Sequence, residues 1–277
     1  MNSFTVVIAT FNAETTLLQA INSFVNQNYK NKQLIIIDGS STDKTVQILK
    51  ENEHHIDYWI SEPDTGIYNA WNKALPHING EWIYFLGADD YFTHSEVFAQ
   101  FEATLAVVPE KILVAYGIVS YISVHSEYLY SHGLPWEQVG KKYRQLMTIP
   151  HQGVFHRKEL FNKYGTFDES FRIAGDYELL LRYLKDHDAV FIPLEIAMMR
   201  QGGVSSDITN SLKIIWEVRR AQLKNGLLIP GVFWLMALSR VYIRLVLWKI
   251  LGERQTRRLL DFGRALMGKP PHWTKNL

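Results

Sequence analysis

Three strand-then-helix units followed by a fourth strand fill the first 90 residues of this 277-residue chain, and few folds accommodate that order. FTVVIATF (Phe4 to Phe11) is a continuous apolar run rich in β-branched residues, which suits a strand buried on both faces of a parallel sheet. Helical spacing follows in LLQAINSFV, with Asn12 placed to cap it. QLIIIDG (Gln33 to Gly39), DYWISEP and EWIYFLG repeat the strand pattern, separated by the helical stretches SSTDKTVQILKEN and TGIYNAWNKAL. The alternation predicts a doubly wound α/β domain.

Open parallel sheets bind ligands beyond the carboxyl ends of their strands. The polar residues at those ends are Thr10 and Asn12, Asp38 with Ser40, Glu62 and Asp64, then Asp89 and Asp90. One aspartate after a strand is ordinary turn or cap chemistry, but here four strands deliver polar groups to one rim. Asp89 and Asp90 close the apolar run IYFLGADDYF. Adjacent like charges repel and resist leaving water, so this position calls for a positive partner. On the rim of a nucleotide-sized crevice the pair suits a hard divalent ion, Mg²⁺ or Mn²⁺, with coordination positions left open for phosphate oxygens. The competing reading makes the pair a cap for a helix that begins near His94.

Further along, residues 94–108 read as a surface helix and ILVAYGIVSYISV as strand. HSEYLYSHGLPWEQVGKKYRQL reads as a long irregular connection marked by Gly133, Pro135 and Gly140. After it come a short strand, a helix, a loop and an amphipathic helix opening near Gly175 and Asp176; AVFIPLEIAMM reads as a last pair of short strands. Beyond about Asp207 the pattern turns to long helices rich in Trp, Leu and Arg. The expected division is a catalytic domain over 1–206, with a nucleotide-binding half (1–92) and an acceptor-binding half (93–206), and a helical extension over 207–277. GGVSS (Gly202 to Ser206) has the flexibility of either a lid or a linker.

Composition narrows the partners. Lys plus Arg (29) nearly balance Asp plus Glu (28), so a net charge of +1 offers no footprint for duplex nucleic acid. With no cysteine there is neither a disulfide framework nor a thiolate nucleophile, in keeping with a reducing compartment. The N-terminus has no basic stretch before its apolar run, which places the bulk of the chain on the side of the membrane where it is made.

The ordered set VVIATFN, LIIIDGSSTDKT, EPDTGIYNAWNKAL, GEWIYFLGADD and GTFDESFRIAGDYELLLR closely resembles family 2 inverting glycosyltransferases of the GT-A fold, especially those assembling bacterial O-antigens and capsules. The resemblance spans roughly Phe4 to Ser205. GT-A implies a Rossmann-like, nucleotide-binding mixed sheet flanked by helices, here with a C-terminal helical extension. By this resemblance Thr10 and Asp38 line a pocket for base and ribose, Asp64 and the backbone at Gly66 close it, and Asn12 and Asn72 join the donor contacts. Asp90 would ligate the metal, with Asp89 in support, and Asp176 would be the catalytic base. His151 falls near the acceptor, although a lone histidine is as readily a structural hydrogen-bonder. Arg172 could meet a phosphate or stand in a surface ion pair. Two departures matter: Asn69 stands where many relatives carry Asp, so no role transfers to it, and the QxxRW signature of processive members is missing, which favours transfer of a single sugar.

GLLIPGVFWLMALSRVYIRLVLWKILGERQTRRLL invites a membrane-spanning reading. Arg240 and Arg244 interrupt it, at about 2.5 to 3.5 kcal/mol each near a helix centre, and Pro230 and Gly231 shorten the apolar run. Mixed with Lys249, Arg254, Arg257 and Arg258, it suits a helix lying on an anionic membrane, or alternatively a bundle packed on the catalytic domain or a second subunit. The expectation is a metal-dependent transferase moving one sugar, with UDP favoured as carrier, to an acceptor linked to undecaprenyl diphosphate. It would work in the cytoplasm at the inner face of the membrane, as a monomer or homo-oligomer. A nucleotidyltransferase with the same acidic rim, and a catalytically silent membrane-associated scaffold, are the alternatives.

Overall fold

The computed structural model describes residues 2–202, 210–266, 268 and 273–274. Of the GGVSS segment Gly202 alone is described; the rest of that lid or linker, and the boundary at 206, lie outside the described residues. One nine-stranded sheet organises the chain. Its first half is parallel: β1 (Phe4–Thr10) lies between β2 (Lys32–Asp38) and β4 (Trp82–Gly87), and β3 (Tyr58–Ser61) flanks β2. The order β3-β2-β1-β4 reverses direction between β1 and β4, which opens the crevice that the alternating pattern predicts. Both faces are covered. Val7, Ile35, Ile37, Ile83 and Phe85 face one apolar cluster, and Phe4, Val6, Ile8, Leu34, Ile36, Trp82, Tyr84 and Leu86 face the other. Continuous apolar strands therefore follow from two-sided burial.

Three helices connect these strands: α1 (Leu17–Val25), α2 (Thr45–Glu51) and α3 (Ile67–Ala74). α1 buries Leu17, Ala20, Ile21 and Phe24, the i, i+3, i+4, i+7 stripe of an amphipathic helix. Asn12 does not cap it. The helix begins after Thr16, and Asn12, with φ of 50°, turns its side chain to the β2–α2 loop instead.

The second half mixes directions. β4 pairs antiparallel with β8 (Val154–Arg157), which meets β6 (Val114–Ile122); β6 runs parallel to β9 (Val190–Arg200), and β9 pairs with the short β5 (Tyr91–Phe92). AVFIPLEIAMM is thus one long strand, not two, because β6 supplies a partner along nearly its whole length. The segment expected to be irregular holds β7 (Tyr128–His132), hydrogen-bonded to β6, and α5 (Trp136–Tyr143), anchored by buried Trp136, Val139 and Tyr143. α4 (Val97–Leu105) is half a core helix: Val97, Phe98, Phe101 and Leu105 are buried, and Phe101 stacks on Phe155 at 3.9 Å.

α6 (Lys158–Tyr164) and α7 (Gly175–Leu184) cover the first face, and α8 (Ser211–Lys224) joins them, its Ile215, Val218 and Ala221 buried in the cluster that holds Tyr177 and Leu181. α9 (Val232–Leu266) touches this core through Trp234 and Val241 and bends at Gly252, where φ is 75°. Its other side leaves Tyr242, Ile243, Val246 and Ile250 exposed. Among the described residues no helix is long and apolar enough to cross a membrane.

Phe155 stands where α4 meets the sheet and is fully buried. Phe155→Ala should lower unfolding free energy by about 3 to 5 kcal/mol, the usual consequence of emptying an aromatic site in a close-packed core. Urea denaturation followed by circular dichroism checks this, and a loss under about 1 kcal/mol would mean that the cluster is loosely packed.

Candidate active site

The strand register brings Thr10, Asp38 and Ser61 side by side at the carboxyl ends of β1, β2 and β3, with Gly87 beside Ala9 at the end of β4. Asp38 is fully buried. Its carboxylate accepts hydrogen bonds from Ser41 N–H at 3.0 Å, from the Ser41 hydroxyl and from the Ser61 hydroxyl at 2.6 Å, which replaces the water it has lost. The Thr10 hydroxyl is buried with no partner among the described residues. Asn12 ties two loops together: its N–H donates to Ser41 Oγ at 2.7 Å, and its Oδ1 accepts Thr42 N–H at 2.9 Å.

Asp64 reaches across to Gly39. A β-carbon on Gly39 would stand 2.6 Å from Asp64 Oδ2, so the missing side chain is what allows the approach. Asp64 Oδ1 also accepts Gly66 N–H at 2.8 Å. Gly66, at φ 133°, turns the chain into α3 through backbone space that a residue with a β-carbon rarely enters. These residues stand together beside the carboxyl ends of β2 and β3.

Asp89 and Asp90 occupy the turn between β4 and β5. Asp90 is 3% exposed, and its Oδ1 accepts Arg200 N–H at 2.9 Å because β5 and β9 pair just beyond it. Burial first, then the charge of Asp89, push the Asp90 carboxyl up to about 8, while Arg200 draws it down. Asp89 is raised as well, again chiefly by burial. Neither caps α4, which starts after Glu96 without a side-chain cap. Arg200 gives this turn a backbone N–H and the field of its guanidinium, and it has no local signal in the sequence because it arrives from 110 residues away. Its charge does not bring either carboxyl back to the ordinary range. Among the described residues no three metal-ligating side chains cluster, yet the donor set fits a divalent ion held by one or two carboxylates and completed by phosphate oxygens. Gly87 provides the cradle, since a β-carbon there would lie 2.5 Å from Asp90 Oδ2 and 3.0 Å from Asp89 Oδ1.

Asp176 lies in the first turn of α7, half-buried. Its Oδ1 accepts the N–H of Tyr177 at 2.8 Å and faces the hydroxyl of Tyr68 at 3.3 Å. Burial pushes it up to about 6, with the Glu217 carboxylate adding in the same direction against those hydrogen bonds. Tyr68 belongs to α3 and also donates to Ile173 O at 2.7 Å and accepts Gly175 N–H at 2.8 Å. Asp176 is therefore tied to the helix that begins at Gly66.

Other expected residues have different surroundings. Asn72 bonds both ways with Phe167 and reaches Glu169, bracing the loop before α7; Asn69 holds the same Glu169 at 2.9 Å. Arg172 is exposed and donates to Thr65 O, packing over Gly66, with no ion pair among the described residues. His151 lies in a short turn just before β8. It is 3% exposed, stacks on Trp71 at 5.1 Å, and burial pushes its imidazole well below the ordinary range, with His156 adding to this, so it stays neutral inside the core.

The Asp90 shift has a sign that stability measurements read. An unfolded Asp loses its proton near 3.8 and the folded one near 8, so between those values the native state holds the extra proton. Stability should fall as pH rises across that window. In metal-free wild type the melting temperature should decline from about pH 5 to about pH 8.5, and Asp90→Asn should flatten the decline. Adding Mn²⁺ at the alkaline end should raise the wild-type melting temperature and leave the variant unmoved. Differential scanning fluorimetry checks both, and parallel curves for the two proteins would contradict this electrostatic account.

The architecture has counterparts among known proteins. A family model for glycosyl transferase family 2 matches residues 5–165. A glycosyltransferase of Mycobacterium tuberculosis, described as uncharacterized, is 32% identical over 179 residues, 64% of this chain and 67% of that one. A PGL/p-HBAD biosynthesis glycosyltransferase of Mycobacterium bovis is 26% identical over 215 residues, covering 75% of this chain and 80% of its own length. Among solved structures, S. aureus TarS 1–349 superposes at TM-score 0.61 and 18% identity over 83% of this chain and 66% of that one, so this chain spans just under two thirds of it. The mannosyltransferase PcManGT of Pyrobaculum calidifontis, solved with GDP-Man and Mn²⁺, gives 0.58 at 16% identity over 98% and 81%. At these identities the structural likeness speaks for the GT-A fold. With its family model covering more than half of the sequence, the chain belongs to glycosyl transferase family 2.

Proposed function

We propose that this glycosyltransferase moves one sugar, with inversion, from a nucleoside diphosphate donor to a hydroxyl of a lipid-linked saccharide, and that Asp176 is its base. The carrying observation is the pair of carboxyl environments at the two ends of the site. Asp90 is buried beside a like charge, and Asp176 is half-buried with its carboxyl raised to about 6, so that it is ionised near neutral pH yet basic enough to accept a proton. The base and ribose would sit against Thr10 and Asp38, with Asn12, Asp64 and Gly66 fixing the loops around them. Asp90, supported by Asp89, would hold Mn²⁺ or Mg²⁺ against the diphosphate, where the ion would supply charge neutralisation to the leaving group.

A sugar hydroxyl is a poor nucleophile until its proton is drawn away. In the proposed reaction its oxygen attacks the anomeric carbon, its proton passes to Asp176, and the bond from that carbon to the phosphate oxygen breaks, the electron pair leaving with the nucleoside diphosphate. Attack opposite the leaving group inverts the centre. UDP is the favoured carrier by resemblance; TarS has been solved with UDP-GlcNAc and PcManGT with GDP-Man. The exposed apolar stripe of α9, accompanied by Arg240, Lys249 and Arg254, supports peripheral contact with an anionic membrane, where an undecaprenyl-linked acceptor of the O-antigen or capsule type would be found.

The test is a panel of UDP-, GDP- and dTDP-sugars with Mn²⁺, followed by slow donor hydrolysis. One donor should release nucleoside diphosphate with a rate that rises through about pH 6, as Asp176 loses its proton. Asp176→Asn should lower turnover by about 10²- to 10⁴-fold with donor affinity retained. Release of pyrophosphate would assign a nucleotidyltransferase instead, and binding without any turnover would favour a scaffold.

A further inference from the structure

α7 begins without a cap of its own. Its N-cap position is Ala174, whose side chain cannot accept a hydrogen bond, and Asp176 spends Oδ1 on the N–H of Tyr177. The first N–H groups of any helix nonetheless need acceptors. Here Gly175 N–H finds one on α3, while the N–H of the N-cap Ala174 and the two before it find theirs on α8. Glu217 of α8, 8% exposed, accepts Ile173 N–H at 2.8 Å and Ala174 N–H at 2.9 Å on Oε2, and Arg172 N–H at 3.1 Å on Oε1. Gly175 N–H goes to the Tyr68 hydroxyl, and its lack of a β-carbon is what lets that ring approach, since a β-carbon there would lie 2.7 Å from it.

We propose that Glu217 is a positioning residue for Asp176: its carboxylate, delivered from the C-terminal extension, clamps three consecutive backbone N–H groups and so fixes the first turn of α7 with the base at the mouth of the crevice. This rests on the reading of Asp176 as the base. The clamp does two things. It sets the geometry, because a backbone segment held at three points cannot swing its side chain away from an attacking hydroxyl. It also sets the electrostatics, because a carboxylate at that helix start places a negative charge near Asp176 and offsets the positive end of the helix dipole, which would otherwise weaken the base. The ionisable groups around Asp176 are Tyr68 from α3, Tyr143 from α5, Tyr177 from α7 itself and Glu217 from α8. The three tyrosines are all raised by burial and stay neutral in the working range. Glu217 is the member of that set whose replacement changes the charge.

The experiment follows donor hydrolysis against pH for wild type, Glu217→Gln, Glu217→Asp and Asp176→Asn, using whichever sugar nucleotide of the panel the wild type turns over and normalising rates to folded protein by circular dichroism. Glu217→Gln should lower kcat by roughly 10- to 100-fold with donor KM within about threefold, and should move the acidic limb of the profile to lower pH. A residue that merely stabilised the fold would reduce the amount of folded enzyme without moving that limb. Glu217→Asp keeps the charge but shortens the reach, so kcat should fall while the limb stays in place; it decides the question if the Gln variant does not fold. Wild-type kcat and an unmoved limb in the folded Glu217 variants, with Asp176→Asn inactive, would overturn this inference and leave the base reading intact. Wild-type turnover in Asp176→Asn would remove both.

Discussion

A carboxylate taken out of water must be supplied with donors or with positive charge, and the different ways this chain meets that demand give its site its shape. Asp38 is supplied by Ser41 and Ser61, and Glu217 by the N–H groups that lead into α7. Both are structurally complete as they stand. Asp90 is not: it gains one N–H from Arg200 and the field of that side chain, but it sits beside Asp89, and its carboxyl is pushed up to about 8. The same residue type is a finished joint in one place and an unmet demand for a cation in another. Where the demand is unmet, a ligand that brings a cation binds with the protein's own electrostatics in its favour.

Satisfied carboxylates also act as braces. α3 starts at Gly66, beside the mouth of β2 and β3, and sends Tyr68, Asn69 and Asn72 across to the 167–176 segment. α8 reaches the same segment from the far side through Glu217 and through Lys224, which pairs with Asp168 at 2.7 Å. The loop carrying Asp176, the proposed base, is thereby held between an element of the parallel half and one of the extension. Loops that hold chemistry need this support, since a displacement of about 1 Å can remove much of a rate.

Sequence patterns reveal some of this and conceal the rest for a physical reason. β1 to β4 are legible because two-sided burial demands unbroken apolar runs, and the residues after them lie on one edge by topology alone. Thr10, Asp38, Asp64 and Asp90 therefore come from local reading. β7 and α5 were hidden because their stabilisation is remote: β7 needs β6 to pair with, and the Trp136 indole N–H finds Asp188 52 residues on. β9 looked like two strands because Pro193 and Glu195 interrupt its apolar pattern. Asn72 belongs to a brace and His151 to a core, and the type of either residue alone would suit a binding site as well. Tyr68, Arg200 and Glu217 had no local signal at all, since each acts on a partner more than 40 residues distant.

That contrast bears on how such a fold can change its substrate. The parallel half presents its polar groups from strand ends whose positions are set by the sheet register, so under the proposed function it would hold the part of a donor that stays constant, a nucleoside diphosphate. The other half presents its groups from loops held by distant helices, and the family match itself ends at residue 165, before Asp176 and before Glu217. Substitutions in α8 or in the 125–150 segment would then alter what approaches the proposed base while β1, β2 and β4 keep the same edge. On that proposal a variable acceptor would be accommodated by parts whose stability comes from contacts with the core, and a constant donor by parts that are the core.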